Sequence, residues 1–121
     1  MAVTWRESLN GTWAVVVVSD PFTMPEWRQA LMKVCEHYPS RSSLHVLVDG
    51  RHCAPPTTDF VGRAITALEA HKQYRRVALV VHNAESYKKG LLAEAVVNIR
   101  KLPFELQTFS EWSAAEAWLE Y

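Results

Sequence analysis

Apolar runs rich in β-branched residues alternate along the chain with segments in which apolar residues recur every three or four positions. Residues 12–18 read TWAVVVV, residues 44–48 and 76–81 form further largely apolar runs, and residues 104–109 are a last predicted strand. Apolar runs without polar alternation predict strands that are covered on both faces. Residues 3–7 form a possible edge strand before them, joined by Asn10 and Gly11, which favour a tight turn. The pattern therefore predicts an N-terminal hairpin followed by three more strands.

Two helices are predicted in the first half of the chain. The first begins at Pro25, since proline suits the first turn of a helix, and ends at Pro39. Its apolar residues recur at helical spacing: Trp27, Leu31, Val34 and Tyr38. The second helix has Thr58 or Asp59 as its N-terminal cap. Both helices are expected to cover the sheet with one apolar face.

Two further helices complete the pattern, one over residues 86–101 and one that begins with Ser113 and Glu116 as a capping box. Strands that alternate with helices form mostly parallel sheets with right-handed crossovers. A length of 121 residues suits one domain. The sequence thus predicts a single α/β domain over residues 1–121, with a mostly parallel sheet, an antiparallel N-terminal strand and about four helices.

Charge is balanced overall but unevenly distributed. The formal net charge is zero, which gives no general attraction to nucleic acid or membrane. Residues 63–101, however, contain eight basic and three acidic side chains, whereas the charged side chains after Leu102 are four glutamates. This asymmetry is typical of solvated helix faces, and it would also suit a basic face that meets an anion, a lipid headgroup or an acidic partner.

The cysteines and the longest apolar run indicate a reducing compartment. Cys35 and Cys53 lack the spacing of metal ligands, and residues 14–18 are too short for a signal peptide or a membrane span. We therefore expect a cytoplasmic location, no transmembrane segment, and Cys35 in the core.

A candidate binding edge is predicted where the parallel strands end and the next helices begin. Strand ends and helix N-termini in this position can hold an anion. The candidate residues are Asp49, Arg51, Thr57, Thr58, His82, Ser86, Lys88 and Lys89. The alternative is structural, with Thr58 as a helix cap, Asp49 as a turn residue and Arg51 paired with a carboxylate.

The third helix has a broad apolar face that includes Leu91, Leu92, Val96 and Ile99. Such a face is typical of a core helix, but an apolar face flanked by basic residues also describes a lid or a membrane-surface helix. Lys88 and Lys89 lie near the helix N-terminus, where the helix dipole disfavours cations. Both interpretations remain open from sequence.

No catalytic motif accompanies these residues. Cys53, paired with His52 or His82, is the one candidate nucleophile, and neither a nucleophile elbow nor a phosphate-binding glycine loop occurs. We predict no enzyme activity, no metal site, no cofactor and no nucleic-acid binding, since the basic residues form no docking motif.

Several short segments, taken in order, resemble the SpoIIAA-like proteins of the STAS superfamily. They are Asp20 with Pro21, Glu26 with Trp27, residues 47–51 (LVDGR), residues 75–80 (RRVALV), and Phe109 with residues 117–119 (AWL). The resemblance implies a superhelical (βα) arrangement with strands added in sequence, roles in regulation and partner binding, and lipid or apolar-ligand binding in some members. It also implies Thr58 as a phosphorylation site, although the Ser-Ser-Gly that accompanies the phosphorylated serine is missing here.

Together these observations favour a non-enzymatic regulatory module that binds a protein partner, including a second copy of itself. The alternative is a small protein that binds a lipid or an apolar anion, with peripheral membrane association through the region 86–101.

Overall fold

A computed structural model describes residues 2–120, so the terminal residues 1 and 121 of the predicted domain lie outside the described part. The β-branched runs form strands and the periodic segments form helices. Their order is β1 (Val3–Glu7), β2 (Ala14–Ser19), α1 (Met24–His37), β3 (Leu44–His52), α2 (Thr58–Glu69), β4 (Tyr74–Val80), α3 (Ala84–Ile99), β5 (Glu105–Phe109) and α4 (Trp112–Glu120).

The strands form one sheet in their sequence order, β1-β2-β3-β4-β5. β1 pairs antiparallel with β2, and the other neighbours are parallel. Helices α1, α2 and α3 contribute to the core on one face of the sheet, and α4 packs on the other. The predicted α/β fold class is confirmed, including the antiparallel N-terminal strand and the sequential order of strands.

Alternation along the central strands separates two cores. Val46 and Val48 of β3 face α1 and α2, whereas Leu47 between them faces α4. Because successive strand side chains point to opposite faces, an all-apolar strand supplies both cores at once. The predicted apolar residues of α1 are all buried, and so is Cys35.

Two predicted boundaries on the binding edge are wrong. β3 continues to His52, so Asp49 and Gly50 lie inside a strand and not in a turn. Thr57, not Thr58 or Asp59, caps α2, because its hydroxyl accepts a hydrogen bond from the Phe60 amide at 3.1 Å.

The starts of the last two helices also differ from the prediction. α3 begins at Ala84, since the Asn83 side chain caps it by accepting from the Ser86 amide at 2.9 Å. α4 begins at Trp112, and the carbonyl of Glu111 already accepts from the Ala115 amide at 3.3 Å. Ser113 therefore lies inside the first turn, and the predicted capping box is wrong.

Candidate functional site

An apolar cavity of about 140 Å³ lies between α2, α3 and the sheet. Side chains of four parallel strands form its floor: Val18, Val48, Val77, Leu79 and Leu106. Residues of α2 and α3 form its roof and wall: Phe60, Val61, Ala64, Ile65, Leu68, Gly90 and Ala93. A dry apolar cavity of roughly 150 Å³ can hold a ring the size of benzene. This cavity therefore has room for a small apolar group.

The position of α2 explains why the space is there. α2 packs against the neighbouring helices α1 and α3, and the cavity lies between part of α2 and the sheet. The indole Nε1 of Trp27 in α1 donates to the carbonyl of Ala64 in α2 at 3.2 Å. Trp27 thus joins α1 to the roof of the cavity, in addition to lining it.

Polar groups gather at one edge of this cavity. The Nζ of Lys89 lies 3.1 Å from the hydroxyl of Thr58 and joins the starts of α3 and α2. No carboxylate within residues 2–120 lies within ion-pair distance of this ammonium group. Ser86 is buried beside it and also lines the cavity. The structure therefore brings Thr58, Ser86 and Lys89 together, with Thr57 as the adjacent cap.

Asp49 and Arg51 lie on the opposite face of the sheet. The Arg51 guanidinium donates to both carboxylate oxygens of Asp49, at 2.9 and 3.0 Å, and lies 4.6 Å from the centre of the Trp112 ring. Burial opposes ionisation of Asp49, but the hydrogen bonds from Arg51 outweigh it and lower the pKa of the carboxyl below its ordinary value. This matches the structural alternative for Arg51, a residue paired with a carboxylate, and the pair takes no part in lining the cavity.

The other predicted residues are solvent-exposed. His82 follows β4 at the surface. The Nζ of Lys88 lies 3.4 Å from the carboxylate of Glu85 in the same helix. Lys88 therefore forms an ion pair in solvent. Lys89 lies at the cavity edge, bonded to the Thr58 hydroxyl and without a carboxylate partner among residues 2–120.

Cys53 lines the cavity as a protonated thiol. Its Sγ donates to the carbonyl of Val18 at 3.1 Å. Burial raises the pKa of Cys53 to about 11, with smaller contributions from the charges of Asp20 and Asp49. Since the thiolate is the nucleophilic form, the sulfur has little nucleophilic character at neutral pH.

The outward face of α3 is apolar and exposed. Ser86, Gly90, Ala93 and Val97 form its buried face, whereas Leu91 is 47% and Ile99 80% exposed. Of the face predicted from sequence, Leu92 and Val96 are half-buried, and Leu91 and Ile99 face solvent. Of the two interpretations that the sequence left open, the core helix does not apply to Leu91 and Ile99. The reason is that α3 approaches β5 with its small residues.

Sequence analysis missed Gly90, which permits this approach. A Cβ at position 90 would overlap with the Oγ1 and Cγ2 atoms of Thr108 in β5. A lone glycine inside a helical pattern is a signal of close backbone approach, and it could have indicated the inward face.

Within the part of the chain that the structure describes, no cluster of metal-ligating side chains occurs, and no helix is long and apolar enough to cross a membrane.

Comparison with known proteins gives a structural relative. No protein-family model and no curated protein matches this sequence. An uncharacterised protein of the DUF3478 family from Shewanella loihica PV-4, described as having a SpoIIAA-like fold, is similar in structure with a TM-score of 0.66. The two share 16% sequence identity, and the match covers 98% of this chain and 92% of the relative. The five-stranded arrangement described above is thus a SpoIIAA-like fold, as the resemblance implied.

Proposed function

We propose that this protein is a non-enzymatic interaction module that binds a protein partner through the outward face of α3. The observation that carries the proposal is the exposure of Leu91 and Ile99 on that face. Tyr87 precedes them and Ala95 lies between them along the helix, and both are exposed. A continuous exposed apolar stripe marks an interaction site more often than single exposed apolar residues do. Aromatic residues such as Tyr87 are also enriched in protein interfaces.

The chemistry of the strand ends supports a role without catalysis. Cys53 is a protonated, hydrogen-bonded thiol, and no hydrogen bond within residues 2–120 joins it to His52 or His82. A nucleophilic cysteine needs a lowered pKa and a nearby base. The side chains at this edge instead cap helices and pair with one another.

Site-specific cross-linking tests the proposal. A photo-cross-linking amino acid is placed at Leu91 and, as a control, at Gln29, an exposed residue of α1. We expect a protein adduct in the native host from position 91 and none from position 29. Equal labelling from both positions, or no protein adduct from position 91, would contradict a binding face on α3.

The second candidate function is the binding of a small apolar anion, and the cavity is the observation that favours it. Its lining is almost entirely apolar, and Lys89 adds one unpaired cation at its edge. Ligand sites commonly combine an apolar pocket with a few placed polar groups. An amphiphile with a short apolar chain and an anionic head would place the head near Lys89 and Thr58.

Octanoate is a suitable probe for this cavity, followed by amide chemical shifts in an NMR titration. We expect shifts at Ala64 and Ala93, and about tenfold weaker binding after Lys89→Gln because a charge-assisted contact is lost. Lys88→Gln, whose side chain is paired with Glu85, should leave the affinity unchanged. Equal effects of the two substitutions would contradict a role for Lys89.

A variant that fills the cavity separates this function from binding at the surface. A Cβ at Gly50 would have its nearest neighbours at 3.5–3.7 Å, which is ordinary van der Waals contact, so position 50 admits a Cβ. Gly50→Val should abolish octanoate binding while the fold is retained. Native mass spectrometry without any co-purified lipid, together with failure of the protein to float with phosphatidylglycerol vesicles, would reject a lipid ligand and membrane association.

A further inference from the structure

Two hydroxyl groups and one ammonium group lie together at the edge of the apolar cavity. Ser86 and Lys89 are three residues apart on α3, so they lie on one side of the helix, and both line the cavity. The Nζ of Lys89 reaches the hydroxyl oxygen of Thr58 at the start of α2, at 3.1 Å. The two helices thus bring three polar side chains to one edge of an otherwise apolar space.

Ser86 is a buried polar side chain without a partner. The residue is 5% exposed, and its hydroxyl forms no hydrogen bond with any other atom of residues 2–120. Buried hydroxyl groups nearly always have a hydrogen-bond partner, because an unpaired one has lost its bonds to water without replacement. A polar group that enters the cavity would supply the missing partner.

The charge at this edge is that of a single cation. No carboxylate among residues 2–120 lies within ion-pair distance of Lys89. The acidic neighbours in sequence, Asp59 and Glu85, are exposed and do not line the cavity. Glu85 is also paired with Lys88 at 3.4 Å, so its charge is already balanced. One unpaired ammonium beside hydroxyl groups suits a ligand with one negative charge.

The cavity beside these polar groups suits an aromatic ring. Phe22 and Phe60 line it with ring centroids 5.2 Å apart and planes at 87°, and Trp27 lines it as well. Aromatic rings favour such edge-to-face contacts. A dry cavity of roughly 150 Å³ holds benzene, and this one measures about 140 Å³. A rigid ring also loses less conformational freedom on binding than an alkyl chain does.

We infer that the ligand of this cavity is an aromatic carboxylate, with one ring between α2 and the sheet and its carboxylate shared by Ser86 and Lys89. This inference rests on the second candidate function, because it names the ligand class of the same cavity. One carboxylate oxygen accepts from the Ser86 hydroxyl, and the other binds the Lys89 ammonium. The Thr58 hydroxyl accepts from Lys89, so its own proton is free to donate to that second oxygen.

A carboxylate matches this set of groups better than a phosphate does. Its two oxygens and single charge correspond to donors at two positions and one cation. A phosphate monoester carries about two negative charges at neutral pH, so one of them would remain unpaired in the cavity. The balance of charge therefore favours the carboxylate.

Phenylacetate is the probe, and phenylacetamide is its neutral counterpart of nearly the same shape. Amide chemical shifts in NMR titrations of the full chain give both dissociation constants. We expect phenylacetate to bind about tenfold more tightly than phenylacetamide, because a charge strengthens the contact with Lys89. Lys89→Gln should remove this difference by weakening the binding of phenylacetate alone.

Ser86→Ala tests the buried hydroxyl. It should weaken both probes about tenfold, since the carbonyl oxygen of either one accepts from Ser86. Ser113→Ala, in the first turn of α4 on the other face of the sheet, is the matched control and should leave both affinities unchanged. Without ligand, Ser86→Ala should keep or raise the Tm, because no hydrogen bond of the folded chain is lost.

Three results would overturn the inference. They are equal affinities for phenylacetate and phenylacetamide, a Ser86→Ala variant that binds phenylacetate as the Ser113→Ala control does, and a lowered Tm of unliganded Ser86→Ala, which would show a structural partner for the hydroxyl. Binding of octanoate without binding of phenylacetate would also overturn it, yet would leave the second candidate function intact. Failure of both probes to bind would instead remove that function.

Discussion

Helices α1 and α3 cover the same face of the sheet with opposite kinds of side chain. α1 buries large residues, among them Trp27, Leu31 and Val34. α3 buries small ones at the sheet and exposes large apolar residues such as Leu91. In α1 the outward positions are polar except for Met32, so apolar periodicity indicates its buried face. α3 is apolar on several sides, and its orientation depends on how closely it must approach β5.

The largest expected loss of stability follows from a substitution on the buried face of α1. Leu31 is fully buried, so Leu31→Ala removes packing and leaves a cavity, which should lower the free energy of unfolding by about 3 kcal/mol. Leu91→Ala on the outward face of α3 should lower it by less than about 1 kcal/mol in monomeric protein. Urea unfolding of both variants measures the difference, and similar losses would contradict the assignment of faces.

The next effect concerns the contact of α3 with β5. Gly90→Ala places a Cβ against Thr108, and overpacking of about 1–3 kcal/mol should exceed the helix-propensity gain of alanine, which is about 1 kcal/mol. Gly62→Ala in α2 meets no atom within 4 Å and should raise the free energy of unfolding by about 0.5–1 kcal/mol.

Thermal and urea unfolding compare the two glycine variants. Adding Thr108→Ala to the Gly90→Ala variant should recover part of the lost stability, because it removes Oγ1 and Cγ2, the two atoms nearest to the new Cβ. If Gly90→Ala stabilised the protein as Gly62→Ala is expected to do, α3 would not be held against β5 in the way described.

A smaller effect is expected where α3 covers the sheet edge. A carboxylate oxygen of Glu94 accepts a hydrogen bond from the amide of Thr108 at 2.8 Å. Unpaired amides on an edge strand can recruit further strands. Glu94→Ala should cost about 1 kcal/mol and speed hydrogen exchange at the Thr108 amide. Glu69→Ala, at an exposed residue of α2, is the control, and unchanged exchange in the Glu94 variant would contradict this role.

The smallest effect lies at the C-terminal end of α1. The hydroxyl of Tyr38 and the imidazole of His37 bond to the Glu7 carboxylate at 2.8 and 3.0 Å, and together they lower the pKa of Glu7 below 4.5. A carboxyl whose folded pKa is lowered contributes stability above its unfolded pKa and loses it as pH falls through the folded value. The small contribution of Glu7 should therefore begin to decline as pH falls below about 4.5 and be lost as pH falls through the lower folded pKa.

Carbon-detected NMR of the Glu7 carboxyl measures this pKa directly. Tyr38→Phe removes the main cause of the shift, so the pKa of Glu7 should rise towards 4.5. If the pKa stayed low in that variant, the hydrogen bond from Tyr38 would not be its principal cause.

Local patterns predicted most of the fold. The hairpin at Asn10 and Gly11, the alternation of strands and helices, and the buried face of α1 follow from turn chemistry and periodicity. Helix starts were less predictable, because Thr58 and Ser86 differ little in sequence from the residues that cap their helices, Thr57 and Asn83. Which residue caps depends on the entry angle of the chain.

The candidate site was predictable only in part. Asp49 and Ser86 both lie near strand ends, yet the alternation of side chains along β3 turns Asp49 to the α4 face. Lys88 and Lys89 are adjacent in sequence but point about 100° apart around α3, so only Lys89 lines the cavity. The cavity itself combines residues from all of the parallel strands and three helices, and no local pattern describes it.

By itself, the sequence determined the order of the elements, the fold class and the buried face of α1. These features depend on interactions between residues that are near neighbours along the chain. Only the tertiary structure decided which side of α3 meets β5, which lysine lies unpaired at the cavity, and which apolar residues remain in solvent. Those outcomes depend on the space left between distant segments: a Cβ at Gly90 would meet Thr108, so the small side of α3 lies inward and Leu91 and Ile99 lie outward.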